Sequence, residues 1–441
     1  MSPIISSRDP LTRRGFLRTS STAAAGSALL GSLAVERFAW GAANEDNLKV
    51  ALVGCGGRGG GAAKQALTTN GKTKLVALAD AHKDRLDGTL RNLSNQFSSE
   101  PGKIDVADEH RFVGFDAYKQ AIALADVVIL ATPPGFRPIH FEEAVRQGKH
   151  IFMEKPVAVD APGVRRVLAA AEEAKKKGLK VGVGLQRHHQ PGYIETIKRL
   201  HDGAIGEIVA MRAYWNDAGV WVKPREPGQT EMEYQMRNWY YFNWLSGDHI
   251  VEQHIHNIDV INWVKKAYPV KAIGMGGRQV RVGKDFGEIF DHHMVEFHYE
   301  DGSISFSQAR HQPGAWSNVS EAVIGTKGKC QVNSHQITGS TPWRFKQEKP
   351  VDPYQIEHDD FFAAIRNNTP YDETDFGAKS TMTAIMGRMA TYSGKEIEWS
   401  KALASNIDLM PEKFAWDAQP KPQPGADGMY PCAIPGKTTT V

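Results

Sequence analysis

Three groups of residues have the types and spacing that chemistry requires. The first is Gly54-Cys55-Gly56-Gly57-Arg58-Gly59, a Gly-x-Gly-x-x-Gly loop. An apolar β-rich run, 48–53, leads into it, a helical stretch from Gly60 to Leu67 follows, and a second strand, 74–79, closes on Asp80. Strand, glycine loop, helix, strand, acid is an arrangement that binds a dinucleotide. Gly54 permits the tight turn, Gly56 lets the backbone approach a pyrophosphate, and Gly59 lets helix and strand pack closely. The helix N-terminus then offers free N–H groups and its positive dipole end to phosphate. Asp80 stands where a carboxylate accepts hydrogen bonds from the adenosine ribose and repels a 2′-phosphate. NAD is therefore favoured, and His82, Lys83 and Arg85 keep NADP open as the alternative.

The second group is Glu154-Lys155-Pro156, at the end of a strand over 150–153. The third runs from Gly247 through Asp248, His249, Glu252, His254 and His256 to Asp259. Glu252 and His256 are four residues apart, so on a helix they share a face.

The elements that must position these groups alternate. Residues 125–131 are a near-continuous apolar strand ending in Thr132-Pro133-Pro134. Such a run suits a parallel strand buried on both faces. A helix over roughly 139–147 leads to the strand before Lys155, and strand–helix alternation predicts a doubly wound parallel sheet. Right-handed crossovers place the ligand along the strand C-termini. Beyond Pro156 a helix over 161–177 and a strand over 181–185 are expected. From Glu207 onward alternating patterns over 209–214, 294–299, 304–309 and 322–324 predict a mostly antiparallel sheet with one polar-facing side. The fold class is thus α/β: an N-terminal Rossmann domain plus a C-terminal α+β domain.

The glycine loop, Ala131-Thr132-Pro133, Gly148-Lys149-His150 and Glu154-Lys155-Pro156 together resemble the Gfo/Idh/MocA family of glucose–fructose oxidoreductases and inositol dehydrogenases. The resemblance resumes at Gly184-Leu185-Gln186-Arg187-His188, at 203–208 and at 324–328, and ends in the helical region 359–394. It implies that Lys155 sits beside the nicotinamide and the reacting hydroxyl. It also implies a cofactor site built from Gly54, Gly56, Arg58, Gly59, Asp80, Thr132, Pro133, Glu154, Lys155, Pro156, Gln186 and Arg187. The family's second catalytic element reads Asp-x-x-x-His-x-x-Asp on a helix. Here His256 and Asp259 match and Glu252 replaces the first acid, with Asp248 as a possible substitute. His256 would exchange the substrate hydroxyl proton, oriented by Glu252. Lys155, Arg187, Arg237, His254, His256 and Asp259 are the expected substrate contacts, the substrate being a sugar, glycoside or cyclitol.

Other readings of the same residues stand beside these. His249, Glu252 and His256 form a stripe that suits a metal, although no metal is expected at the site. The histidines, His254 above all, are otherwise hydrogen-bonded core residues. The stretch 215–245, rich in Trp, Tyr, Arg and Met, either stacks on sugar faces or serves as a dimer interface or packing loop. For the whole chain a redox-neutral NAD-dependent glycosidase or epimerase, and a non-catalytic sugar-binding protein, are the alternatives.

The 441 residues carry a net charge of +3. That excess lies in residues 1–43, where five arginines face Asp9 and Glu36, so the remainder is neutral and has no general drive towards nucleic acid. Arg13-Arg14-Gly15-Phe16-Leu17, then a small apolar run and Ala39-Trp40-Gly41-Ala42-Ala43, resemble a twin-arginine export signal. A periplasmic protein delivered by the twin-arginine machinery is expected, with no membrane span after signal cleavage. No maintained nicotinamide pool exists there, so the cofactor is expected to be held tightly and recycled in place. The domains expected are a signal at 1–43, a dinucleotide domain at 44–158, a substrate and oligomerisation domain at 159–400 and an extended C-terminal extension at 401–441. A homo-oligomer is expected. The three cysteines show no zinc-type spacing, and only Cys330 and Cys432 are candidates for a disulfide.

Overall fold

The computed structural model describes residues 47–441. The expected export signal lies outside the described residues. Six strands form the first sheet: β1 (Leu48–Val53), β2 (Thr73–Asp80), β3 (Arg111–Val113), β4 (Val127–Leu130), β5 (His150–Met153) and β6 (Val181–Val183). Their order is β3-β2-β1-β4-β5-β6, and every pairing is parallel. The order reverses between β1 and β4, which opens a crevice at the C-terminal ends of these two strands. Helices cover both faces, and for that reason Val127–Leu130 is buried along its whole length. The sixth strand comes from beyond residue 158, so the first sheet extends past the boundary expected there. The crossover helix Ala161–Lys176 connects it.

The second sheet has nine strands: β7 (Ile208–Asp217), β8 (Lys271–Gly277), β9 (His292–His298), β10 (Ile304–His311), β11 (Asn318–Gly325), β12 (Gly328–Gln331), β13 (Gln336–Gly339), β14 (Trp343–Arg344) and β15 (Ile397–Glu398). The order is β14-β13-β12-β11-β7-β10-β9-β8-β15. All pairs are antiparallel except β7 with β10. Burial alternates residue by residue along β9 and β10, the signature of a sheet with one covered face. The covering element is the helix Thr374–Ser393, which packs on β8 and on the helices Ala161–Lys176 and Ile255–Lys265. It is buried on nearly all sides because it lies between the sheet and the first domain's crossover helix.

The aromatic stretch 215–245 divides between packing and the cleft: Tyr234, Tyr241, Phe242 and Trp244 are fully buried, packed against Phe414 and Tyr430 of the C-terminal extension, whereas Trp221 and Trp239 line the cavity described below. That extension has no regular structure after Ala404, yet it is not a free tail. The Asp160 carboxylate accepts the Leu409 N–H at 2.9 Å, and Tyr430 bonds Arg225 at 2.9 Å. All three cysteines are free, with Cys330 buried and the Cys432 sulfur bonded by Arg278. Among the described residues no helix is long and apolar enough to cross a membrane.

Candidate active site in the interdomain cleft

A cavity of about 730 Å³ runs along the crevice at the ends of β1, β2, β4 and β5. One wall is backbone. Gly54 has φ +100, and a Cβ there would stand 2.4 Å from the Thr132 nitrogen. A Cβ on Gly59 would stand 1.9 Å from the Gly54 oxygen. Both positions therefore exclude any side chain. Gly56 instead faces open space, with nothing within 4 Å of its ideal Cβ. The helix Gly57–Thr68 begins there with no side-chain cap and no acidic residue in its first turn. Its N–H groups face the cleft without a competing acceptor, which fits a pyrophosphate. Asp80 ends β2 with its carboxylate held by the Cys55 N–H at 2.6 Å and the His82 N–H at 2.8 Å. These bonds fix the carboxylate at the cleft rim, where ribose hydroxyls reach it. Arg58 spans the loop, its Nε 2.5 Å from Glu154 and its guanidinium stacked 4.8 Å from the Tyr354 ring centre.

The other wall comes from the segment Gly247–His256. Gly247 and Asp248 both have positive φ, +77 and +73, and for Asp248 that costs about 1–3 kcal/mol. The helix expected through Glu252 and His256 is broken: His249–Glu252 is one turn, and a second helix, Ile255–Lys265, starts after His254. The two residues nevertheless both line the cleft, because the kink turns each towards it. Lys155 ends β5 across the gap. Its Nζ donates to the Glu252 carbonyl at 2.7 Å and to Glu252 Oε1 at 3.2 Å, both side chains being about 15 % exposed. His256 is buried and stacks on Trp215 at 6.0 Å. Burial, then the charges of Lys155 and Arg187, hold its pKa well below the usual histidine value. The imidazole is therefore neutral at pH 7 and able to accept a proton.

The cleft brings together Gly54, Gly56, Arg58, Gly59, Asp80, Thr132, Pro133, Glu154, Lys155, Arg237, Glu252 and His256. Five residues expected at the site stand back from it. His254 is fully buried, its Nε2 2.7 Å from Ser307 Oγ under the second sheet. Asp259 ties His188 at 2.8 Å to Ser380 at 2.8 Å. Arg187 pairs with buried Glu321 and donates to the His256 carbonyl at 3.0 Å, so it positions the histidine. Gln186 donates to Tyr354 at 3.0 Å, the ring on which Arg58 stacks. Pro156 follows Lys155 through a cis bond and faces the interior. Arg237 lines the cleft on the Asp80 side, bound through both guanidinium nitrogens to Asp84 at 2.8 Å. His249 points away, so His249, Glu252 and His256 do not converge on a metal.

Three cleft residues escaped the sequence. Arg137 is buried and donates to the Leu130 and Thr132 carbonyls at 2.7 and 2.9 Å; burial lowers its pKa to about 10. His140 lies 3.2 Å from Thr132 Oγ1, and burial lowers its pKa to about 3. Helical spacing of Arg137 and His140 after the Thr-Pro strand end was the signal that would have placed them on one face. Tyr354 arrives from the helix Pro353–Arg366, two hundred residues downstream of β5, and no local pattern announces it.

The comparisons agree with this geometry. Residues 48–184 match the model described as an oxidoreductase family with an NAD-binding Rossmann fold, and residues 193–331 match the Gfo/Idh/MocA C-terminal domain. The chain is 24% identical over 362 residues to scyllo-inositol 2-dehydrogenase (NAD(+)) of Bacillus subtilis (strain 168), covering 79% of this chain and 94% of that protein. In fold it is similar to scyllo-inositol dehydrogenase from Lactobacillus casei with bound NAD(H) and scyllo-inositol (TM-score 0.60, 21% identity, 80% of this chain and 100% of that one). It is also similar to an aldose-aldose oxidoreductase from Caulobacter crescentus (TM-score 0.62, 19% identity, 80% and 100%). The chain therefore belongs to the Gfo/Idh/MocA oxidoreductase family, with that family's NAD-binding Rossmann fold in its first half.

Proposed function

We propose that this enzyme oxidises a CH–OH carbon of a sugar, glycoside or cyclitol, with NAD held across the strand ends and substrate between Lys155 and His256. The observation that carries this reading is the meeting of Lys155 with Glu252 and neutral His256 at the mouth of the glycine-loop crevice. NAD, when bound, supplies the acceptor for the hydride leaving the carbinol carbon. The glycine-loop amides and Asp80 would hold it. Neutral His256 takes the hydroxyl proton as the carbon is oxidised, and the Lys155 ammonium stabilises the developing alkoxide. Glu252 fixes Lys155 and compensates its charge. The named inositol dehydrogenase relative supports a cyclitol or sugar over other alcohols.

The finer reading keeps export and tight cofactor binding together. Arg13-Arg14 and the small apolar run direct the folded, NAD-loaded chain to the periplasm, where bound cofactor is recycled in place. Fusion of residues 1–43 to a reporter tests the first half: export must fail in cells lacking the twin-arginine machinery. On the second sheet, Ile273, Met275, Met294 and Phe306 share the uncovered face, and a second copy of the chain covers them. Light scattering of the mature protein tests that arrangement. For the function itself, the purified protein is denatured and its supernatant analysed for nucleotide. Stoichiometric NAD(H) agrees with the proposal; a protein that neither carries nor takes up NAD(H) or NADP(H) refutes it.

A further inference from the structure

Behind the cleft wall lies a polar group that the proposed reaction does not use. Asp248 is fully buried, at 0 % exposure, with His249 at 1 % and His293 of β9 at 3 %. The Asp248 carboxylate accepts the His249 N–H at 2.5 Å, the Phe290 N–H at 3.1 Å and the Tyr392 hydroxyl at 2.5 Å. Each of these donors is neutral, so a full negative charge remains in a site without water contact.

His293 meets this carboxylate with Nε2, 3.2 Å from Asp248 Oδ2. Its Nδ1 lies 2.9 Å from Thr391 Oγ1, and that hydroxyl already donates to the Arg388 carbonyl at 3.0 Å. With the hydroxyl proton on that carbonyl, its oxygen accepts from Nδ1–H, the tautomer that leaves Nε2 free to ligate. Nε2 itself has no partner in hydrogen-bond geometry. His249 Nε2 is also buried without a partner, 3.8 Å from Asp248 Oδ1. The three ligand atoms lie within 4.8 Å of one another. Two buried imidazole nitrogens without hydrogen-bond partners and a carboxylate thus converge on one point. A proton on His293 satisfies one pair and leaves His249 orphaned; a cation satisfies all three.

We propose that Asp248, His249 and His293 bind a structural zinc-class dication. Two imidazoles and one carboxylate suit zinc rather than magnesium or calcium, which prefer all-oxygen sites. Tetrahedral zinc separates its ligand atoms by about 3.3–3.5 Å; the contacts of Asp248 with His293 and His249, at 3.2 and 3.8 Å, are already close to that, and no pair exceeds 4.8 Å. Thr391 fixes the His293 tautomer, the part that a second-shell group plays at such sites. The metal is closed off from the cleft, so it enters with folding and anchors the turn before Glu252 to β9. Its place differs from the His249–Glu252–His256 stripe, which the kinked helix disperses.

The test is metal analysis of the full chain, freshly purified without chelator, alongside protein unfolded in EDTA and refolded with cobalt(II) as the spectroscopic probe. The proposal expects stoichiometric zinc, visible cobalt bands after refolding, and a higher Tm with metal than without. His249→Gln is expected to abolish stoichiometric binding, and Thr391→Val to weaken it by about 10–100-fold. Should His249→Gln fail to fold, the cobalt spectrum of the refolded wild-type chain still decides the matter. Metal-free protein that refolds without cobalt bands and with a Tm indifferent to zinc overturns the proposal and leaves a protonated His293–Asp248 pair. Metal retained undiminished in folded His249→Gln overturns it too, by placing the ion elsewhere.

Discussion

The two walls of the cleft are built on different principles. The glycine-loop wall is backbone: two glycines that exclude any Cβ, a helix end with unblocked N–H groups, and one carboxylate locked by two amides. The opposite wall is side chain, and remote residues hold it in place. Arg187 holds the His256 carbonyl, Asp259 ties His188 to Ser380, and Tyr392 and Phe290 hold Asp248. The first wall makes the cofactor site from local geometry. The second is assembled by long-range packing, and there Lys155 reaches the Glu252 carbonyl as well as its carboxylate.

The largest effects are expected where the walls meet. Lys155→Ala is expected to lower kcat by about 10²–10⁴-fold while leaving NAD affinity within a few fold, and His256→Ala to do the same. Steady-state kinetics alongside NAD titration checks both; an equal loss of NAD binding would mean that the walls are not functionally separate. Gly59→Ala strikes the other side. Its Cβ would meet the Gly54 oxygen, so loss of NAD binding and about 1–3 kcal/mol of stability are expected, seen by calorimetry and thermal melts. A smaller change sharpens the cofactor assignment. Asp80→Ala removes the ribose acceptor, and NAD affinity should fall by about 10–100-fold with NADP discrimination relaxed.

The smallest prediction concerns pH. His256 has its pKa depressed by burial, so the neutral base persists as pH falls through the ordinary histidine value of about 6.5. The rate of proton abstraction should show no loss centred near that value. His189 has the opposite sign. Asp360 and Glu373 outweigh its burial and raise it to about 10. Its contribution to stability is full below about pH 6.5 and declines as pH rises through about 10. Thermal melts of the wild type and His189→Gln should therefore converge at high pH, and constant separation would contradict the assignment.

The sequence was most legible where function depends on local backbone. The glycine loop, Asp80 and Lys155 sit at the strand ends that their motifs imply, since a tight turn and a helix start are properties of a few consecutive residues. The alternation of β9 and β10 was readable for the same reason. What escaped depends on distant partners. Nothing within the run 247–259 tells that the helix breaks at His254, that His254 lies under Ser307, or that Asp259 serves His188 and Ser380. The aromatic stretch 215–245 likewise shows its composition but not its partners, which sit in the C-terminal extension. Tyr354 reaches the cofactor loop only because the helix Pro353–Arg366 returns to pack on the helix Gly57–Thr68.

The central claim is that NAD in this cleft accepts a hydride from a CH–OH carbon with Lys155 and His256 handling the proton. The most direct measurement is a single-turnover experiment: NAD-loaded protein mixed with a panel of aldoses, glycosides and inositols while NADH absorbance is followed. The account predicts NADH formation with at least one of these in the wild type, and its absence in Lys155→Ala at equal NAD occupancy. NADH appearing equally in both proteins, or in neither with any sugar or cyclitol while NAD is demonstrably bound, would contradict it.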